Sequence, residues 1–254
     1  MITLKSEEEL SYLRAAGQIV ADVLAELREV IITNPGITTQ ELDRLAESLI
    51  IRRGARPAFK GYRGFPCCLC TSVNEQVVHG IPGDYELQHG DIIGLDLGVK
   101  LNGYYGDAAI TVALGEISGE VNRLLEVTED ALYKGIRQAK VGNRLFDISY
   151  AIQSHVEKNG FSVVRALVGH GIGRHLHEEP PIPNFGKPDQ GPRLKMGMTL
   201  AIEPMVNMGS FEVKTIKDNW TVVIKDGKRS AHFEHTIAIR ANEPEILTLI
   251  KRKR

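Results

Sequence analysis

DIIGLDLGVKLNGYYGDAAITVAL, residues 91–114, is rich in β-branched and aromatic residues and carries Asn102–Gly103 near its middle. Asn-Gly readily accepts the two positive φ angles of a two-residue turn, so the segment is expected to fold back as an antiparallel hairpin. With Asn102 and Gly103 as the central residues, Asp96 pairs with residue 109; with the loop centred between 101 and 102, it pairs with Asp107. Either register leaves Asp96 and Asp107 on one face, directly or diagonally opposed. Their neighbours Ile92, Ile93, Leu95, Leu97, Ala108 and Ile110 are apolar. Two like charges there are desolvated and mutually repelled unless a proton or a cation intervenes, and a bound metal meets both demands.

Single acids recur in two further apolar runs, Glu203 in MTLAIEPMV (198–206) and Glu234 in AHFEHTIAI (231–239). One buried acid is ordinarily a hydrogen-bonded core carboxylate, but four are not explained that way. With His170 they make five candidate ligands, mostly oxygen donors with one imidazole, a set that suits two divalent first-row ions bridged by carboxylates. Such a site lowers the pKa of a bridging water to give hydroxide near neutral pH, which can attack a carbonyl while both ions stabilise the oxyanion. His170 lies in GHGIGRHLHEEP (169–180), where three glycines are read as room for ligand and substrate beside the backbone. His175 in the same stretch is expected on the surface.

Ser6 with Glu9 and Thr38 with Glu41 are capping-box patterns, each followed by apolar residues at helical spacing, and Gly54 is expected to stop the second helix. Further helices are expected at 118–140 and 145–159. Strands are expected at 198–206, 220–225 and 231–240, the last two joined by a turn at Asp226–Gly227. The layout repeats: Gly36 and Gly54 stand 106 positions before Gly142 and Gly160, and Leu87, Gly90 and Asp96 stand 107 before Leu194, Gly197 and Glu203. VHGI (78–81) resembles GHGI (169–172). The pattern implies a duplicated αβ unit, halves at about 1–115 and 116–248, that brings His79 with Asp96 and His170 with Glu203 around one centre.

The 254 residues carry 31 Lys plus Arg against 32 Asp plus Glu, so no overall field favours nucleic acid or an anionic membrane. The basic run Lys251–Arg254 reads as a solvated end of the tail 249–254. The N-terminus turns acidic and helical at once, unlike a secretion signal, and no apolar run reaches bilayer length, so a cytoplasmic protein is expected. Cys67, Cys68 and Cys70 are the only cysteines. They lack a fourth ligand for structural zinc, and reduced, partly buried thiols are expected. No Walker lysine, dinucleotide fingerprint or nucleophile elbow is present. Cys70 with His79 or His170 as a base would leave the four acids unexplained.

GYRGFPCCLCTSVNEQVVHGIPG (61–83), GDIIGLDLGVKLNGYYGDAAIT (90–111), GHGIGRHLHEEPPIPNFG (169–186), GMTLAIEPMV (197–206) and DNWTVVIKDGKRSAHFEHTIAI (218–239) resemble, in order, the motifs of type I methionine aminopeptidases. The resemblance runs over about residues 1–248. It implies one catalytic domain, 1–254, with the α+β pita-bread fold: two pseudo-twofold-related αβ halves whose curved antiparallel sheet is covered by helices. It further implies that Asp96, Asp107, His170, Glu203 and Glu234 hold two divalent ions (Fe²⁺, Mn²⁺, Co²⁺ or Zn²⁺), with Asp107 and Glu234 bridging. His79 and His177 are implied to contact the scissile peptide, and Glu203 to shuttle a proton. Tyr62, Phe65, Cys70 and Trp220 are implied to form the methionine pocket, with Leu176 where many bacterial members have phenylalanine.

The implied activity is removal of an unformylated initiator methionine from nascent or newly made chains, favoured by a small second residue. Ribosome proximity and a monomer are expected. The absence of a cysteine/histidine extension and of the type II insertion points to the short bacterial form. Two other readings stand beside it: a proline-directed peptidase of the same fold (aminopeptidase P or prolidase), and a non-catalytic binding module.

Overall fold

The computed structural model describes residues 1–249, so the basic run Lys251–Arg254 lies outside the described residues. Helix α1 (Glu7–Thr33) starts at the expected capping box: the Ser6 hydroxyl accepts from Glu9 N–H, and the Glu9 carboxylate accepts from Ser6 N–H. The same reciprocal bonds between Thr38 and Glu41 open α2 (Thr39–Arg52), and Gly54 follows its end at φ 75°. Helices α3 (Gly119–Gln138) and α4 (Leu145–Lys158) complete the four α-helices among the described residues.

Nine strands form the main sheet: β1 (Arg56–Pro57), β2 (Leu69–Val73), β3 (Ile92–Leu101), β4 (Tyr104–Ala113), β5 (Val168–Gly171), β6 (Glu178–Pro183), β7 (Thr199–Ile202), β8 (Glu234–Ala238) and β9 (Glu245–Ile246). The order is β1-β3-β4-β8-β7-β5-β6, every pairing antiparallel, with β2 also on β3 and β9 on β8. The β3–β4 hairpin takes the register set by Asn102 (φ 49°) and Gly103 (φ 85°), pairing Asp96 with Ala109 and Gly98 with Asp107.

Alternation along the strands separates core from cavity. Ile93, Leu95, Leu97 and Val99 of β3 and Ala108 and Val112 of β4 pack under α1 and α2 with Leu24, Leu27, Leu42 and Ile50. In the second half Leu200, Ile202 and Ile237 pack with Leu124, Leu132, Ile148 and Ile152 of α3 and α4. Each fully buried Leu or Ile contributes about 1.5–3 kcal/mol, so these two layers hold the sheet flat against its helices. The opposite parity is left for polar groups.

The duplication is visible in matched hydrogen bonds. Gly36 N–H donates to Leu87 O and Gly142 N–H to Leu194 O, both at 3.1 Å; Leu114 N–H donates to Asp91 O and Ile239 N–H to Met198 O. VHGI and GHGI are not equivalent, however: residues 76–78 join a small sheet with 213–215 and 222–224, whereas 168–171 belong to the main sheet.

Three strand expectations are corrected. The run 198–206 is broken into Thr199–Ile202 and Met205–Asn207, because Pro204 has no N–H for a ladder. The run 231–240 is broken at Phe233 into Ser230–His232 and Glu234–Ala238, which lie in different sheets. Residues flanking Asp226–Gly227 do turn, but 222–224 pairs with 213–215 and 76–78 while 230–232 pairs with 205–207. The Asp226 carboxylate accepts from Ser210 N–H and Lys228 N–H, tying the turn to another loop instead of closing a hairpin.

Candidate active site

The pairings lay the candidate ligands out in two adjacent rows on the face away from the helices. Cys70, Asp96, Ala109 and Glu234 stand side by side across β2, β3, β4 and β8. In the next row Thr236, Ala201 and His170 stand side by side across β8, β7 and β5. Asp107 of β4 is joined to this row by Thr236, whose hydroxyl donates to Asp107 O (2.7 Å) and accepts from Asp107 N–H (3.2 Å). The alanines make a low floor, and Glu203 enters from the end of β7, where Pro204 interrupts the strand.

Donor atoms of Asp107, His170 and Glu234 lie within 4.8 Å of one another. His170 Nε2 is 3.9 Å from Asp107 Oδ2 and 3.6 Å from Glu203 Oε1. Its Nδ1 is 2.9 Å from the Gly171 carbonyl, which can only accept, so Nδ1 carries the proton and Nε2 presents a lone pair to the acids. Burial lowers the imidazole to about 4 and keeps it neutral.

Burial raises all four carboxyls. Asp96 is pushed up to about 7, and Asp107, Glu203 and Glu234 lie well above their ordinary range, with repulsion among the acids adding to burial in these three. Asp96 Oδ1, Asp107 Oδ1 and Glu234 Oε1 are buried without a hydrogen-bond partner among the described residues. Orphaned acceptors on three carboxyls, those of Asp107 and Glu234 clustered with a neutral imidazole that has a free lone pair, fit an oxygen-rich divalent cation site.

These residues form one wall of a cavity of about 270 Å³ that also contains His79, His177, Tyr62, Phe65, Cys70, Leu176 and Trp220. All twelve residues singled out in the sequence therefore meet in a single cavity. Phe65 meets Trp220 edge-on at 5.1 Å, Tyr62 stacks on His177 at 5.3 Å, and the His170 and His177 rings are 4.2 Å apart. His177 Nδ1 is 2.9 Å from the Tyr62 hydroxyl. His79 is held at φ 59°, a conformation that non-glycine residues seldom adopt and that often marks functional positions. Burial lowers its imidazole below the usual value. Burial pushes the Cys70 thiol far up, with Asp96 and Asp107 adding to the effect, which keeps the thiol protonated. His175 is exposed.

The glycines beside His170 are required by the protein's own chain. A Cβ at Gly169 would meet the Ala201 carbonyl, one at Gly171 the Glu179 carbonyl and one at Gly173 the Lys5 side chain. Sequence reading also missed cavity residues Phe59 and Met205. Phe59 had a signal, three-residue spacing with Tyr62 and Phe65; Met205 had none beyond its place after Glu203.

The sequence pattern of Metallopeptidase family M24 matches residues 11–241. A methionine aminopeptidase of Clostridium perfringens is 59% identical over 251 residues, 99% of this chain and 100% of the relative. Methionine aminopeptidase 1 of Bacillus subtilis is 58% identical over 250 residues, 98% of this chain and 100% of the relative. The crystal structure of methionine aminopeptidase from Rickettsia prowazekii superposes with a TM-score of 0.96 at 42% identity, covering 98% of this chain and 100% of that one. The α+β architecture with its duplicated halves is thus the pita-bread fold, and the enzyme is a metallo-exopeptidase. With the family pattern spanning most of the sequence and such likeness over the full length, the chain belongs to metallopeptidase family M24, among its type I methionine aminopeptidases.

Proposed function

We propose that the enzyme removes N-terminal methionine from peptides and newly made proteins whose second residue is small, and that Asp96, Asp107, His170, Glu203 and Glu234 would hold two divalent ions. The observation that carries the reading is the meeting of five donors and an apolar pocket in one cavity, in a chain with these relatives. Divalent ions there would acidify a water and stabilise charge on a carbonyl oxygen. Fe²⁺, Mn²⁺, Co²⁺ and Zn²⁺ all suit such donors, and availability decides between them.

The remaining work falls to the chain. Tyr62, Phe65, Cys70, Leu176 and Trp220 enclose the methionine side chain, and the shorter Leu176 leaves room that phenylalanine would fill. With its Tyr62 hydroxyl donating to Nδ1, neutral His177 carries its proton on Nε2 and donates it to the developing oxyanion, with His79 flanking the scissile peptide. Glu203 takes the proton of the attacking water and delivers it to the leaving amine. A free α-amino group is required, so formylated ends are excluded. We place the enzyme in the cytoplasm, near the ribosome, as a monomer acting on nascent chains, as one domain with no nucleic-acid or membrane partner. Among the described residues no helix is long and apolar enough to cross a membrane.

The test is methionine release from Met-Ala-Ser, Met-Leu-Ser and Ala-Pro peptides by chelator-stripped protein, with and without Mn²⁺ or Co²⁺. Metal-dependent cleavage of the Ala peptide with little of the other two is expected. Preference for Ala-Pro would transfer the site to proline-directed chemistry, and no cleavage by folded, metal-loaded protein would leave a binding module.

A further inference from the structure

The loop that presents Leu176 and His177 to the cavity is tied down from outside by the N-terminal segment. Lys5 Nζ lies 2.6 Å from Glu178 Oε2, and the two side chains are only 5% and 12% exposed. The Thr3 hydroxyl donates to the same oxygen (3.0 Å), and His175 N–H donates to Oε1 (3.1 Å). Lys5 is itself anchored, its N–H on the Gly197 carbonyl (2.7 Å) and its Nζ on the Thr3 hydroxyl (2.7 Å). Gly173 lies directly on the pair, where a Cβ would stand 2.7 Å from Glu178 Oε1, and its carbonyl accepts from Tyr105 N–H of β4.

Glu178 thus grips the loop on both sides of Leu176 and His177. Burial alone would raise its carboxyl, but Lys5, together with His175 N–H, holds it below its ordinary range and therefore ionised. A buried ion pair contributes little net stability compared with apolar residues of the same volume, whereas losing one partner leaves an uncompensated charge. Its distinctive effect here is geometric.

We propose that Lys5 and Glu178 are positioning residues for the reaction: their ion pair fixes loop 173–178 so that His177 keeps its Tyr62 contact and Leu176 its place in the pocket wall. The kinetic consequence rests on the function proposed above; the structural consequence does not. Displacing a group that acts on the transition state by about 1 Å can lower turnover on the order of a hundredfold.

The experiment uses full-length, Mn²⁺-loaded Lys5→Met, Lys5→Arg, Glu178→Gln and the milder Thr3→Val. Expected are a tenfold to hundredfold fall in kcat on Met-Ala-Ser for Lys5→Met and Glu178→Gln, a smaller change in KM, recovery of most of the loss in Lys5→Arg, and unchanged Mn²⁺ affinity by calorimetry. Read in the metal-free protein, where no paramagnetic ion broadens them, the imidazole resonances of His177 should shift in each impaired variant while those of His235, bonded to Thr248 in a turn near the C-terminus, stay in place. A merely structural pair would lower the melting temperature without moving either His177 or kcat per folded molecule, and that result overturns the proposal. Should Lys5→Met fail to fold, Thr3→Val carries the same test with a smaller shift. Should the parent protein release no methionine, the functional reading falls, and an unmoved His177 resonance would separately refute the positioning.

Discussion

Raising the pH of the metal-free protein from 7 to 8 should destabilise it. Buried Asp96 is raised to about 7 and Asp107, Glu203 and Glu234 higher still, whereas in the unfolded chain all four are ionised above about pH 5. The folded state then binds more protons than the unfolded one, so stability falls as pH rises, by about 1.4 kcal/mol per pH unit for each proton retained. Below pH 6.5 the sign is opposed. His170, His232 and His235 are held neutral by burial, at about 4, 3 and 4, so protonation of the unfolded chain weakens the fold as pH drops and masks the acids. Above pH 8 the three thiols, all raised by burial, add a loss of the same sign as the acids. The interval from 7 to 8 isolates the carboxyls. One retained proton lowers the melting temperature by roughly 3–6 °C for a chain of this length. Divalent ions bind the ionised carboxylates, so saturating Mn²⁺ should flatten the slope and raise the melting temperature throughout. Calorimetric melts at pH 7.0, 7.5 and 8.0 in chelator and in Mn²⁺ supply the comparison. A metal-free melting temperature that stays level or rises across this unit would refute the protonated cluster.

Asp96→Ala opens one ligand position and should abolish methionine release while leaving the far-ultraviolet circular dichroism intact; retained turnover in excess Mn²⁺ would contradict its assignment as a ligand. Tyr62→Phe removes the 2.9 Å contact to His177 Nδ1 and should lower kcat/KM about two- to tenfold, with the pocket still closed by its ring. Thr236→Val leaves the Asp107 N–H and carbonyl without their hydroxyl partner and should cost about 2–4 kcal/mol in denaturant unfolding while weakening Mn²⁺ binding.

Local chemistry explains which parts of this structure could be read in advance. Asn102–Gly103 specifies a turn geometry, and that geometry fixes the register that sets Asp96 and Asp107 on one face. The glycine intervals were legible because Gly36, Gly54, Gly90 and their counterparts Gly142, Gly160 and Gly197 all take positive φ at the same points of two similar units. The ligands stood out as isolated acids in apolar runs. Non-local events were hidden: the break at Phe233 sends adjacent strands to separate sheets, and nothing near Gly171 announces that Glu179 will lie against it. Likewise nothing in the sequence marks strand residue Thr236 and turn residue Thr248 as partners, although Thr248 accepts from Thr236 N–H and so braces the strand that carries Glu234. Such partners are fixed only once the chain has closed on itself.

The two halves that share matched turns no longer share their side chains. Of the five candidate ligands in the cavity, the first supplies two aspartates and the second a histidine and two glutamates. A pair of identical half-length chains around a true twofold axis would offer a peptide the same surroundings in both directions, so a ligand and its reversed copy would bind equally. Within one chain the two halves present different side chains, and the cleft has a sense of direction. An exopeptidase must distinguish the end of a chain from its continuation, and it is the broken symmetry of the seam that makes the distinction physically available.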